Sequence, residues 1–168
     1  MPYAANVRIL APFGLIDARA DATAQAALEA ALGFSLPREP NTMSQHDEVL
    51  ALWLGPEDWL LRMSDGAEVA WTARLREAIA GKHGAVTPVT DAYTIVEIAG
   101  PQAREVLSQC AGVDLHPRAF GPGRCARTRF AKTRALLYQA GTEPSYHVYV
   151  ARSYGDYVTK YLERCRGG

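Results

Sequence analysis

The stretch Val96-Glu97-Ile98-Ala99-Gly100-Pro101-Gln102-Ala103-Arg104-Glu105-Val106-Leu107 (VEIAGPQAREVL) decides how this chain is read. Its first half has strand composition, its second half has helical spacing, and Gly100-Pro101 stands between them. A strand turning sharply into a helix can bind phosphate, present a nucleophile or simply connect. A dinucleotide-binding turn uses several glycines so that backbone N–H groups can reach a pyrophosphate. Here a single glycine is followed by proline, which removes one of the N–H groups an anion would take. A nucleophile elbow carries Ser or Cys at the bend, and this one has neither. The turn is therefore predicted to connect, with Pro101 in the first helical turn, where a missing N–H costs nothing. Gly55-Pro56 and Gly121-Pro122 read as turns in the same way.

The neighbouring elements follow from periodicity. Tyr93 to Ala99 is a strand, and Ala103, Val106, Leu107 and Cys110 recur at the spacing of a helix that packs by one face. Upstream, Ala67 to Ala80 is a helix whose stripe is Trp71, Leu75, Ala78 and Ile79. Val49 to Leu54 and Trp59 to Met63 are strands joined through Gly55-Pro56-Glu57-Asp58. In the second of these Trp59, Leu61 and Met63 share a face and Arg62 points the other way. SLPREPNT (Ser35–Thr42) reads as an extended loop. Ala22 to Leu32 is an alanine-rich helix with Asp21 as N-cap and Gly33 as its stop. Downstream, Arg127 to Phe130, Arg134 to Ala140 and Tyr146 to Ala151 are strands, the last two joined by a hairpin loop over Gly141 to Pro144. Ser153 opens a closing helix with Asp156 as a capping-box-like partner. Its stripe is wide: Tyr154, Tyr157, Val158, Tyr161, Leu162 and Cys165. This mixed order predicts an α+β fold, with helices packed on a mostly antiparallel sheet. No repeat, linker or low-complexity segment interrupts it, so a single domain over residues 1–168 is expected.

Bulk properties narrow the function classes. Apolar residues at 48 % and charged residues at 21 % argue for a packed globular chain rather than disorder. No apolar run approaches the roughly 20 residues of a membrane helix, and Met1 to Leu15 carries no secretion-signal pattern. Three widely separated cysteines, Cys110, Cys125 and Cys165, have no metal-ligand spacing and cannot all pair internally. A reducing cytoplasm is the expected home. The net charge of zero hides a split. Residues 1–114 hold 15 acids against 8 bases, and residues 115–168 hold 3 acids against 10 bases. The densest part is Arg118, Arg124, Arg127, Arg129, Lys132 and Arg134, with no Asp or Glu from Leu115 to Thr142. Such a patch can bind nucleic acid, neutralise the acidic half or meet an acidic protein. No nucleic-acid motif accompanies the bases, and only Phe120 and Phe130 lie among them for stacking. A protein contact is the better reading.

No reacting constellation emerges from the residues. Cys110 and Cys165 end apolar stripes, where a thiol behaves as a small inert hydrophobe. Cys125, between Arg124 and Arg127, would be activated only if exposed. His46, His83 and His116 fall in loops or at element ends, and His147 lies on the strand face opposite Tyr146, Val148 and Val150. No His-x-x-x-His, Glu-x-x-His or acid-rich cation loop occurs. Glu57-Asp58 is an acid pair in a turn, and Trp53 and Trp59 flank that turn as a core cluster. Catalytic, cofactor-binding and metal-binding residues are all expected to be absent.

Four stretches carry a family resemblance. They are LALWLGPEDWLL (Leu50–Leu61) preceded by LPREPNT, VTDAYTIVEIAGPQAREVLSQCAGVDL (Val89–Leu115), AFGPGRCARTRF (Ala119–Phe130) and YHVYVARSYGDYVTKYL (Tyr146–Leu162). Together they resemble the gamma subunit of heterotetrameric sarcosine oxidase, over about Leu36 to Leu162. The Trp-Leu-Gly-Pro turn followed by acids and Trp59-Leu60-Leu61 is the most specific piece, and the segment before Ala22 adds nothing diagnostic. The family is in turn distantly similar to the folate-binding domain of the glycine-cleavage aminomethyltransferase. That enzyme has a strand–Gly–helix unit like Tyr93–Leu107 and a catalytic aspartate on a downstream strand. The corresponding region here, Arg127 to Ala140, has no carboxylate. A cationic strand can neither take a proton from nor stabilise a cationic folate iminium.

The resemblance implies an accessory, non-catalytic chain in a complex with alpha, beta and delta subunits. Such a complex oxidatively demethylates sarcosine or a related N-methyl amino acid and passes the one-carbon unit to tetrahydrofolate. FAD and FMN would be carried by beta, NAD and the tetrahydrofolate site by alpha, and zinc by delta. This chain would hold none of them. Its main contact would be with alpha, through the Arg118–Arg134 segment, with no role for nucleic acid or a membrane. The rival expectations are a stand-alone folate-dependent aminomethyltransferase-like protein and an RNA-binding adaptor.

Overall fold

Short strands with alternating side chains build two antiparallel sheets in the computed structural model, which describes residues 2–167. In chain order the elements are β1 (Asn6–Ile9), β2 (Gly14–Ala20), α1 (Ala22–Leu32), β3 (Met43–His46), β4 (Val49–Gly55) and β5 (Asp58–Met63). Then come α2 (Glu68–Ala78), β6 (Gly84–Pro88), β7 (Tyr93–Ala99), α3 (Ala103–Ser108), β8 (Cys125–Phe130), β9 (Thr133–Gln139), β10 (Ser145–Ala151) and α4 (Gly155–Arg166). The α+β class expected from the order of elements holds, with two sheets rather than one.

The chain divides into two units: residues 12–90, and residues 2–11 with 91–167. In the first, the strand order is β3-β4-β5-β2-β6. Ile16, Ala18 and Ala20 of β2, Ala51 of β4, and Trp59, Leu61 and Met63 of β5 point to one side. There they pack with Ala24, Leu28 and Leu32 of α1 and with Leu75 and Ile79 at α2. The Trp59 indole is buried and still satisfied, because Nε1 donates to the Pro37 carbonyl at 2.8 Å. Arg62 lies on the opposite face, over the Phe13 ring at 4.5 Å. Local chemistry sets the helix ends. Asp21 Oδ1 accepts from the Ala24 N–H at 2.8 Å, a cap worth about 1 kcal/mol. Gly33 ends α1 at φ 84°, as its sequence position predicts.

In the other unit the order is β1-β7-β10-β9-β8. Val96 and Ile98 of β7, Tyr146, Val148 and Val150 of β10, Ala135 and Leu137 of β9, and Ala126 and Phe130 of β8 face one side. There they meet Ala103, Val106 and Leu107 of α3 and Val158 and Leu162 of α4. The α3 stripe thus becomes core, whereas of the wide stripe predicted for the closing helix only Val158 and Leu162 are fully buried, Tyr157, Tyr161 and Cys165 are half-buried and Tyr154 is exposed. Gly100 has φ 132°, and a Cβ there would lie 2.7 Å from the Ala4 carbonyl oxygen. Its N–H goes to Pro144, the Gln102 N–H to Ala4, and the Ala103 N–H back to Gly100. The bend's donors are spent on protein acceptors, so the turn connects.

Two local expectations differ. Pro101 lies in the turn ahead of α3, whose N-cap is Gln102. Ser153 is not a cap: Arg152–Tyr154 already wind as a 3-10 turn, and α4 starts at Gly155 without a side-chain cap. A cap needs extended backbone, and that position is taken by Ala151.

Candidate functional site

The six basic residues are all exposed, and they come from different local structures. Arg118 lies in a turn after His116, and Arg124 lies just before β8. The tight core of the patch is the β8–β9 hairpin. Phe130 and Thr133 pair across a two-residue loop of Ala131 and Lys132, with Ala131 at φ 50° as such loops require. Strand alternation sends Ala126 and Phe130 into the core and leaves Arg127 and Arg129 on the other face. Arg134 pairs directly with Arg129. The Arg129 carbonyl accepts from the Gly112 N–H, away from β9, so Arg129 and Arg134 form a non-hydrogen-bonded pair. Their side chains therefore start at the closest spacing an antiparallel ladder allows, with Cα atoms about 4.5 Å apart.

Like charges directly opposite each other destabilise a sheet. No carboxylate lies within 4.0 Å of Arg118, Arg129, Lys132 or Arg134 among the described residues. The hairpin thus holds Arg127, Arg129 and Arg134 on one face with Lys132 at its tip, on the edge strand of its sheet. What this can do chemically is bind carboxylates or phosphates. It offers no proton acceptor and no nucleophile.

Sequence reading missed a polar row on the same face of this sheet. Register aligns Cys125, Tyr138, His147, Glu97 and Arg8 across all five strands. The Tyr138 hydroxyl and His147 Nδ1 are 2.9 Å apart, and His147 Nε2 lies 3.6 Å from Glu97 Oε1. Arg8 Nε donates to Glu97 Oε2, and Ser145 Oγ donates to Oε1. The Arg8 guanidinium, by hydrogen bond and charge, holds the Glu97 carboxyl below its ordinary range, with smaller help from His147 and Ser145 and against partial burial. A carboxylate held ionised by an arginine is a structural anchor rather than a poised acid. His147 is thus a buried structural histidine.

The thiols are quiet. Burial pushes Cys110 up to about 12 and also raises Cys165, and both pack against the core. Cys125 is fully buried, so the activation that exposure between two arginines would bring does not arise. Among the described residues no three His, Cys, Asp or Glu side chains gather as a metal site. No helix among them is long and apolar enough to cross a membrane.

The model of the sarcosine oxidase gamma subunit family matches residues 16–166. A sarcosine oxidase subunit gamma from Arthrobacter sp. is 37 % identical over 122 residues, covering 72 % of this chain. The chain spans only 59 % of that relative's length. Among solved structures, the heterotetrameric sarcosine oxidase from Corynebacterium sp. U-96 in complex with pyrrole 2-carboxylate contains a similar chain. It superposes with a TM-score of 0.90 at 28 % identity, over 96 % of this chain and 83 % of that one. The glycine cleavage system aminomethyltransferase T from Bartonella henselae shares the fold, with a TM-score of 0.70 at 16 % identity over 96 % of this chain and 46 % of the enzyme.

Proposed function

Because this chain belongs to the sarcosine oxidase gamma subunit family, we propose that it is a non-catalytic accessory subunit of a sarcosine-oxidase-type heterotetramer. The complex would oxidatively demethylate sarcosine or a related N-methyl amino acid in the cytoplasm and transfer the one-carbon unit to tetrahydrofolate. The flavins, NAD, folate and zinc would sit on the alpha, beta and delta subunits. This chain acts as one domain over 1–168, and its Arg118–Arg134 segment meets an acidic surface of alpha.

The observation that carries this reading is the hairpin. Arg129 and Arg134 oppose each other without a local carboxylate, a cost that an acidic neighbour relieves. An aminomethyltransferase-like activity of the chain itself is disfavoured, because β8 and β9 present arginines and no carboxylate. Two measurements test the proposal. Co-expressing the other three subunits with and without this chain should change the yield of assembled complex and its flavin turnover. The purified chain should give no heat with tetrahydrofolate in calorimetry. Equal yield and turnover without the chain, or folate binding by the chain alone, would reject it.

A further inference from the structure

Each sheet has two edge strands, and an open edge is a row of unpaired N–H and C=O groups that a further strand can join. On β6 that row is broken. Pro88 has no N–H to offer, and the outward Val86 carbonyl accepts from Arg76 Nε at 2.9 Å. On β8 the Arg129 carbonyl is taken by the Gly112 N–H, and Ala111 bridges to Phe130. β1, at the other end of the same sheet, has no such cover.

Ladder alternation identifies the open groups of β1. The Leu10 N–H donates to the Ile95 carbonyl at 2.9 Å, so Leu10 and Ile95 are a hydrogen-bonded pair. Two residues back, Arg8 and Glu97 are another, and Val7–Ile98 and Ile9–Val96 are the non-hydrogen-bonded pairs between them. The N–H and C=O of Val7 and of Ile9 therefore point away from β7, and no group among the described residues takes them. Their side chains lie on the helix-covered face with Ile98 and Val96. Val7 packs against the core there, whereas Ile9 is 51 % exposed. Among the described edge strands only β1 carries an exposed large apolar side chain. Arg8 turns to the other face and is held by Glu97.

An extended segment supplies partners for all four main-chain groups and places every second side chain beside Val7 and Ile9. A second copy of β1 fits this edge poorly. The antiparallel register that uses all four groups pairs Val7 of each copy with Ile9 of the other. It also sets the two Arg8 residues directly opposite, with Cα atoms about 4.5 Å apart, a like-charge pair that destabilises a sheet. A strand from a different chain meets no such repulsion.

We propose that β1 is a strand-addition site, taken by an extended segment of another subunit that carries an apolar residue opposite Ile9 and no base opposite Arg8. The five-stranded sheet thereby gains a sixth strand. This rests on the accessory-subunit reading and adds a contact at the edge opposite the arginine hairpin, about 19 Å away at about 4.8 Å per strand.

Amide hydrogen exchange resolved to single residues, in the intact complex and in the isolated full-length chain, tests it. In the free chain the Val7 and Ile9 amides, which no ladder bond holds, should exchange faster than those of Arg8 and Leu10. In the complex both should slow at least about tenfold. Ile9→Pro removes one outward N–H without removing a β1–β7 bond, and it should weaken assembly about tenfold or more. If that variant melts early as an isolated chain, exchange in the unmutated complex decides alone. Val7 and Ile9 amides as fast in the complex as in the free chain, with residues 125–134 protected, overturn strand addition and leave the accessory reading standing. Protection of both amides in the free chain that grows with its concentration makes a second copy the occupant and overturns the assignment to another subunit. A wild-type chain that enters no complex overturns both readings.

Discussion

Reversing one charge of the hairpin pair should improve the isolated chain and harm the assembly. Arg129 and Arg134 are direct cross-strand neighbours in the close, non-hydrogen-bonded register. Arg129→Glu replaces repulsion by attraction at that spacing. Each such pair contributes about 0.2–1 kcal/mol, so removing an unfavourable one and adding a favourable one is worth about 0.5–1.5 kcal/mol. A chain of this size melts about 2–4 °C higher per kcal/mol, so Tm should rise by about 1–6 °C at low salt. The gain should shrink in 1 M NaCl, where screening falls to about 3 Å. Arg134→Glu should behave likewise, and the double variant should lose the gain, because two glutamates restore a like-charge pair. Differential scanning calorimetry of the four chains at two salt concentrations measures this. In the co-expressed complex the same single variants should weaken association about tenfold or more, since a carboxylate would then face an acidic neighbour. A fall in Tm on Arg129→Glu, or a double variant as stable as the singles, would refute the pairing argument. Unchanged association would refute the acidic partner.

Three further outcomes are expected. Gly100→Ala should destabilise by at least about 1–3 kcal/mol, the usual cost of forcing a side chain into such a backbone region, because φ is 132° and the new Cβ would also press on Ala4; urea unfolding checks it. Glu97→Gln should lower stability at pH 7. The native carboxyl sits below its ordinary 4.5, so its contribution is full above that pH and is lost as pH falls through the native value; the gap between wild-type and variant urea midpoints should therefore close in acid. Native chain should react slowly with a thiol reagent at pH 8, since Cys110 is pushed up to about 12, Cys165 is raised and Cys125 is buried; all three thiols should react promptly once the chain is unfolded.

Much of the fold was legible because its signals are local. The Asp21 cap, the Gly33 stop, the Tyr93–Ala99 strand and the core stripe of α3 depend on residues within a turn or two, and they appear where periodicity puts them, while the stripes of α2 and α4 hold in part. Four strands were missed. β1 (NVRI) and β3 (MSQH) are short and half polar, β6 (GAVTP) ends in residues that disfavour strands, and β2 (GLIDARA) mixes Gly, Asp and Arg into a central position. Partners distant in sequence hold them: β2 is paired on both sides, by β5 and β6. The candidate surface was half legible. Composition marked six bases, but only pairing register put Arg129 opposite Arg134.

By itself the order of residues determined the α+β class, both ends of α1, the packing of Cys110 and Cys165 against the core and the absence of a nucleophile at Gly100-Pro101, all matters of chain-local sterics and periodicity. Tertiary structure alone decided that there are two sheets, that Glu97, His147 and Tyr138 form one row, and that Tyr154, just ahead of α4, and Tyr157 and Tyr161 on it flank the core instead of filling it. The physical reason is that strand register and helix rotation are set by whatever packs against them, and shifting a strand by one residue moves every side chain to the other face without changing a single local preference.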